Sequence, residues 1–199
     1  MIHKINFGDI MKNILFALLA AFLLIGCGSN ATDNQYVQPK LVIGQSLAGL
    51  TLKDQFGKEH SLNPNTYKLI FAFSKDAAHT CNDFFDTQAP DYLEKHNAQF
   101  IADVSAAPSL IRSMFILPGL KDFKHTVLLL DEKAVAAPFR KGMDVEKIVV
   151  ISIINKKITD MKTITTAEEL RKTLEDDSPI SIIAPMLNEA IDTANNMMK

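Results

Sequence analysis

Apolar and polar positions fall into three regimes along this chain. Ile14 to Leu23 is an unbroken apolar run that comes after Lys12 and ends, through Leu24-Ile25-Gly26, at Cys27. Its length suits a signal-peptide core and falls short of the ~20 residues needed to span a bilayer. A buried core helix has the same length, but such a helix seldom ends in Gly-Cys-Gly-Ser at the head of a polar tract. Gly28 to Lys40 is polar and has almost nothing to bury. That composition predicts a flexible tether holding the remainder of the chain roughly 20 Å from its point of attachment.

From Leu41 the pattern becomes that of a packed domain. Leu50 to Leu62 alternates around Asp54–Gly57 and predicts a β-hairpin. Lys68–Ser74, Gln99–Val104 and Thr126–Asp131 are short apolar runs without alternation, as expected of strands buried on both faces. Helices are predicted between them: His79–Gln88, Pro108–Phe115 (with a loop at Pro118-Gly119), and a weak Ala134–Lys141 interrupted by Pro138. Phe84, Phe85, Met114 and Phe115 read as core residues. Lys147–Ile154, the turn Asn155-Lys156-Lys157 and Ile158–Ile164 form the clearest hairpin. Thr165 and Thr166 stand three residues before Glu168 and Glu169, the spacing of a capping box, and Leu170 and Leu174 face the core from the helix it opens. Ser178-Pro179 closes that helix, and Met186–Met197 predicts one more amphipathic helix.

The expected organisation is a signal peptide over 1–26, a tether over 27–40, a domain over 41–177 and a C-terminal amphipathic helix over 178–199. Asp9 is unusual in a secretory n-region, so Met11 reads as the more natural start. Strand–helix alternation implies an α/β sandwich: a central, mostly parallel sheet, helices on both faces, and an antiparallel closing hairpin.

Charge narrows the function. The chain carries 21 basic and 23 acidic side chains, and loss of residues 1–26 leaves 19 against 22. A slightly acidic chain of about 170 residues lacks the basic surface that nucleic acid requires. There are two cysteines, Cys27 and Cys81. If Cys27 is modified, one thiol remains, and one thiol closes no disulfide within its own chain.

Lys12, the apolar core, Gly26 and Cys27, in that order, resemble the lipobox of bacterial lipoproteins. The resemblance implies cleavage before Cys27, acylation of its thiol with palmitate-type chains, and the membrane as a partner. Gly28 stands where enteric inner-membrane lipoproteins usually carry Asp, which implies an outer-membrane anchor facing the periplasm.

Leu52-Lys-Asp-Gln-Phe-Gly-Lys, then Thr126-Val-Leu-Leu-Leu-Asp-Glu-Lys, then Ile148 to Ile158 resemble the thioredoxin-like fold in its peroxiredoxin and membrane-anchored-thioredoxin branch. The likeness covers Leu41 to about Asp177. The chain is also similar to small exported thioredoxin-like proteins of the YtfJ type, which lack the redox pair. Its departures from the pattern matter most. Thioredoxins place Cys-x-x-Cys after the first central strand; the corresponding stretch here is Ala78-His79-Thr80-Cys81, so Ala78 replaces the attacking cysteine. Aligned on Cys81, the peroxiredoxin proline and threonine positions hold Ser74 and Ala78. The cis-proline position matches Val149, and no proline lies between Pro138 and Pro179. Arg112, Arg140 and Arg171 all sit away from the peroxiredoxin arginine's place.

Cys81 admits two readings: a thiolate nucleophile at a helix N-terminus, with His79 nearby, or a small half-buried residue kept for packing. Asp76, His79, Cys81 and Asp83 are metal-ligand types, but helix capping by Asp76 and solvation of Asp83 are their ordinary roles, and no metal or cofactor is expected. His125 reads as a strand-edge residue. The resemblances together imply a lipid-anchored cell-envelope protein without thiol–disulfide exchange, binding a peptide or protein where the redox site lies in its relatives. The alternative is an enzyme, a single-cysteine thiol peroxidase or related oxidoreductase using Cys81.

Overall fold

A computed structural model describes residues 37–175, 191 and 193–197. The expected signal peptide, most of the tether including Cys27, the Ser178-Pro179 stop and most of the C-terminal helix lie outside the described residues. Residues 191 and 193–197 are helical and exposed.

Each element has a local cause. Strands β1 (Thr51–Asp54) and β2 (Glu59–Ser61) form the expected hairpin. Asp54 closes it, its carboxylate accepting from the N–H groups of Phe56 and Lys58 at 2.8 and 2.9 Å, and Gly57 supplies a φ of +82°. β3 (Lys68–Ala72) is buried at all five positions. Two helices, α1 (Lys75–Asp86) and α2 (Tyr92–Lys95), lead to β4 (Ala98–Asp103). Helix α3 runs through Ser109–Ile111, a π turn at Arg112–Ile116 and Leu117–Leu120 to β5 (Val127–Leu130). Then come α4 (Lys133–Arg140), β6 (Ile148–Ile154), β7 (Lys157–Ile164) and α5 (Ala167–Glu175).

The β6–β7 turn is tighter than expected, two residues rather than three. Asn155 and Lys156 take φ of +50° and +63°, the left-handed pair that matches the twist of a hairpin. The capping box forms reciprocally: Glu169 N–H donates to Thr166 Oγ1 at 3.2 Å, and Thr166 N–H donates to Glu169 Oε2 at 3.1 Å.

Two expected breaks are absent. Pro118-Gly119 lies within α3 because the preceding π turn bonds Leu117 N–H to Arg112 O, and the widened turn removes the demand for a donor at Pro118. Pro138 lies inside α4 near its end, and its own carbonyl accepts from Lys40 N–H at 2.8 Å.

The seven strands order as β2-β1-β5-β4-β3-β6-β7. The expected mostly parallel sheet is in fact mixed. Only β5, β4 and β3 run parallel, while β1, β2, β6 and β7 all join by antiparallel pairing. The parallel pairs are those joined by helical crossovers through α1–α2 and α3; β1–β2 and β6–β7 are hairpins, and β1–β5 and β3–β6 are antiparallel pairings between strands distant in sequence. Alternate residues of each central strand feed two cores. Ile70, Phe100, Val127 and Val150 pack with α1, α2 and α5. Leu69, Phe71, Ile101, Leu128 and Ile151 pack with α4 and the 41–50 segment. Coverage on both faces explains the unbroken apolar runs, and each fully buried Leu, Ile or Phe contributes about 1.5–3 kcal/mol. Three layers, with β4-β3-β6-β7 as the heart of the sheet, make this a thioredoxin-like α/β sandwich.

Candidate functional site

In open α/β sheets the crevice outside the carboxyl ends of parallel strands is the preferred place for ligands. Here that edge carries the start of α1 after β3, the Asp103–Ser105 turn after β4, and α3. Helix α1 begins four residues earlier than the sequence pattern predicts. Ser74 is the N-cap, extended at φ −117°, and its Oγ accepts from Ala77 N–H at 3.3 Å. The expected cap, Asp76, lies inside the first turn, where its charge suits the positive helix end.

That correction relocates the cysteine. Cys81 is the seventh helical residue rather than a helix-end residue. It is 0 % exposed and packs among Ala77, Phe84 and Phe85 against β3 and β4. Burial pushes its thiol pKa far above the usual range, which disfavours the thiolate that a nucleophile needs. His79 and Asp83 point outward while Cys81 points inward. Among the described residues, no group of three His, Cys, Asp or Glu side chains is placed to hold a metal. Ala78 packs with the α1-side core and Val149 with the α4-side core, so the two positions lie on opposite faces of the sheet. Ser74 and Ala77, also three residues apart, are the pair at the helix start. Ile148 opens β6 opposite Ala72, two residues before Ser74 in the chain.

Beside this helix start the edge is fixed by charge. The Asp103 side chain is wholly buried and pairs with Arg140 Nε. Arg140 Nη2 donates to Ser105 Oγ at 3.1 Å, Ser105 N–H to Asp103 Oδ1 at 2.9 Å, and Arg112 Nη1 to the Val104 carbonyl at 3.4 Å. Nothing in the sequence joins these residues; they meet through long-range packing, Asp103 and Arg140 being 37 positions apart.

Helix α3 departs furthest from expectation. Met114 and Phe115, read as core, are 57 % and 65 % exposed; Leu110 is 65 % exposed and Ile111 also projects outward. From Ser109 to Ile116 the helix fully buries no residue. Only its far end joins the core, through Leu120 with Ile116 and Leu117 packed against it. Lys121 and Lys124 are exposed just beyond.

A second polar pair sits deep beneath α1. His125 Nε2 donates to Asn82 Oδ1 at 3.1 Å, both residues being buried, while the rings of Phe85 and Phe123 stand 5.2 Å away. Burial lowers the His125 pKa to about 4, with Asp86 opposing weakly. His125 is thus a neutral core residue rather than one at a strand edge.

No family model matches this chain, and no curated protein matches it. Among solved structures, it is similar to peroxidoxin BcpB from Mycobacterium tuberculosis at 17% identity, over 71% of this chain and 96% of that one, with a TM-score of 0.45. It is similar to a thioredoxin-like protein from Porphyromonas gingivalis at 15% identity, over 70% and 92%, with a TM-score of 0.43. The mitochondrial two-cysteine peroxiredoxin from Plasmodium falciparum is 12% identical, over 68% and 93%, with a TM-score of 0.43. The thioredoxin-like class of this domain rests on its strand order and layers.

Proposed function

We propose that this chain is a lipid-anchored cell-envelope binding module. Its thioredoxin-like domain takes an apolar peptide segment against α3, at the edge where thioredoxins carry their cysteines, and performs no thiol–disulfide exchange. The observation that carries the reading is the apolar face of Leu110, Ile111, Met114 and Phe115, left in solvent on the helix after β4, the parallel neighbour of the strand that leads into α1. Contiguous exposed apolar surface marks interaction sites, and Lys121, exposed just beyond the helix, favours a segment that also bears acids. Ser74 and Ala77 occupy the helix start without a thiol. Acylated Cys27 would hold the domain at the outer membrane, facing the periplasm. The burial of Cys81 works against the peroxidase alternative.

An eight-residue apolar peptide with a glutamate at each end tests the site. Titrated into the full chain, it should give saturable amide shifts confined to α3 and the start of α1. The double substitution Met114→Ser, Phe115→Ser should weaken binding at least tenfold, since two large contacts vanish. Undiminished binding by the double variant would overturn the reading. Rapid, saturable oxidation of Cys81 to sulfenic acid by peroxide would favour the enzyme instead.

A further inference from the structure

The chain enters the domain at a corner that is apolar, basic and held in place. Lys40 N–H donates to the Pro138 carbonyl at 2.8 Å and Leu41 is buried, so the polar tract that follows Cys27 is fastened here. The next two residues turn outward: Val42 is 45 % exposed and Ile43 64 %. They open a tight turn, in which Gln45 N–H donates to the Val42 carbonyl at 2.9 Å and Gly44 takes a φ of +86°. Backbone bonds stitch this turn to the last hairpin. Gly44 N–H donates to the Ile158 carbonyl at 2.7 Å, Ile158 N–H to the Gln45 carbonyl at 3.0 Å, and Leu47 N–H to the Lys156 carbonyl at 2.8 Å. Ile43 therefore stands at a fixed corner beside the β6–β7 turn, where Lys156 and Lys157 are exposed. From Val37 to Lys53 and from Lys147 to Thr159 the chain carries lysines and no acid.

Two outward apolar side chains are ordinary on a surface; their place in the chain makes these two informative. Thirteen positions separate Cys27 from Lys40. At full stretch they reach at most ~45 Å, and as a flexible chain roughly 20 Å. An acyl group on Cys27 would thus hold this corner near the bilayer at an effective concentration on the order of millimolar. At that concentration a weak affinity is enough to keep the corner docked. Aliphatic side chains enter the boundary between headgroups and acyl chains, and each lysine beside an anionic surface strengthens association about fivefold. The turn packs on the α4 face of the sheet, whereas the end of α3 is anchored in the core on the other face. Docking by the turn keeps α3 directed away from the bilayer, open to a peptide.

We propose that the Val42–Gln45 turn, with Lys156 and Lys157, docks on an anionic phospholipid bilayer and fixes the orientation of the domain upon it; the inference rests on the lipid anchor of the preceding reading. The chain has no tryptophan, so Ile43→Trp and Phe115→Trp each install a single reporter. The full chain, purified from envelopes, is reconstituted in vesicles of phosphatidylethanolamine with about a quarter phosphatidylglycerol, their acyl chains brominated as quencher. Flotation with the vesicles reports the anchor, and quenching reports the docking. The Ile43→Trp chain should lose at least about half its fluorescence, as a ring at the membrane interface does, while the Phe115→Trp chain keeps its own. Adding Lys156→Glu with Lys157→Glu, both at exposed positions, should relieve the quenching at position 43 and leave flotation unchanged. A chain that floats with position 43 unquenched, or quenched no more than position 115, would overturn the docking and leave the anchor standing. A chain that neither floats nor is quenched would overturn both. Quenching at position 43 that persists in full after the two lysine substitutions would also overturn the surface as assigned.

Discussion

Helices α1 and α3 both come after a parallel strand, both carry apolar residues at helical spacing, and both pack toward the same face of the sheet. Helix α1 buries its stripe: Ala77, Cys81, Phe84 and Phe85 disappear into the core with Asn82 beside them. Helix α3 buries its last turn and turns Leu110, Ile111, Met114 and Phe115 to solvent. The same periodicity thus serves the interior in one helix and leaves a surface in the other. Periodicity states that a helix has an apolar face, and only the tertiary arrangement states what covers it. The chemistry obeys this division. The remaining thiol of the domain lies on the covered helix, where burial keeps it protonated, and the binding surface we assign lies on the uncovered one.

Substitution of one phenylalanine in each helix gives the sharpest contrast. Phe85→Ala should cost about 3–5 kcal/mol, because the ring meets Phe84, Tyr92, Phe100 and His125. Phe115→Ser should change stability by no more than ~0.5 kcal/mol. Urea denaturation of the two variants measures both, and a Phe115→Ser loss near that of Phe85→Ala would show that α3 is a covered helix too.

Acid should act on the covered helix first. His125 is neutral when folded, with a pKa of about 4, and binds a proton near its ordinary 6.5 when unfolded. The unfolded state therefore holds more protons between those values, so stability is complete above pH ~6.5 and falls as pH drops toward 4, by at most about 3 kcal/mol. Asp54, whose folded pKa is lowered, adds a further loss only below about pH 4. His125→Phe should flatten the first part of this curve. An unchanged slope between pH 6.5 and 4 in that variant would remove His125 as its cause.

The two registers of α1 can be told apart by new thiols. Ser74→Cys with Ala77→Cys, placed on the cap and first turn, should close a disulfide under mild oxidation. The thiol introduced by Ala78→Cys should stay unpaired with Cys81, because within a helix Cβ atoms three apart stand ~5–6 Å from each other and a bridge needs ~3.5–4.5 Å. A bridge between Cys81 and that introduced thiol would restore the later helix start. Mass spectrometry of the alkylated chains reads either result.

The legible parts of the fold were those with local causes. Gly57 and Asp54 announced the first hairpin, Asn155-Lys156 the last, and Thr166 with Glu169 the start of α5. The buried runs of β3, β4 and β5 were legible because both faces are covered. The start of α1 was missed because Lys75-Asp76-Ala77-Ala78 offers no large apolar residue, although Ser74 with an acid two residues on is a cap signal. Asp103 with Arg140 and Asn82 with His125 were illegible for a different reason: they join residues 37 and 43 positions apart and depend on strand register.

Site-specific photo-crosslinking in intact envelopes tests the binding claim most directly. A benzoylphenylalanine at position 115 should give a discrete adduct that the acid-flanked apolar peptide competes away, while the same probe at Ile43, equally exposed but distant in the fold, should give none that the peptide removes. An adduct at 115 that the peptide leaves untouched, or one identical from position 43, would contradict a binding surface on α3.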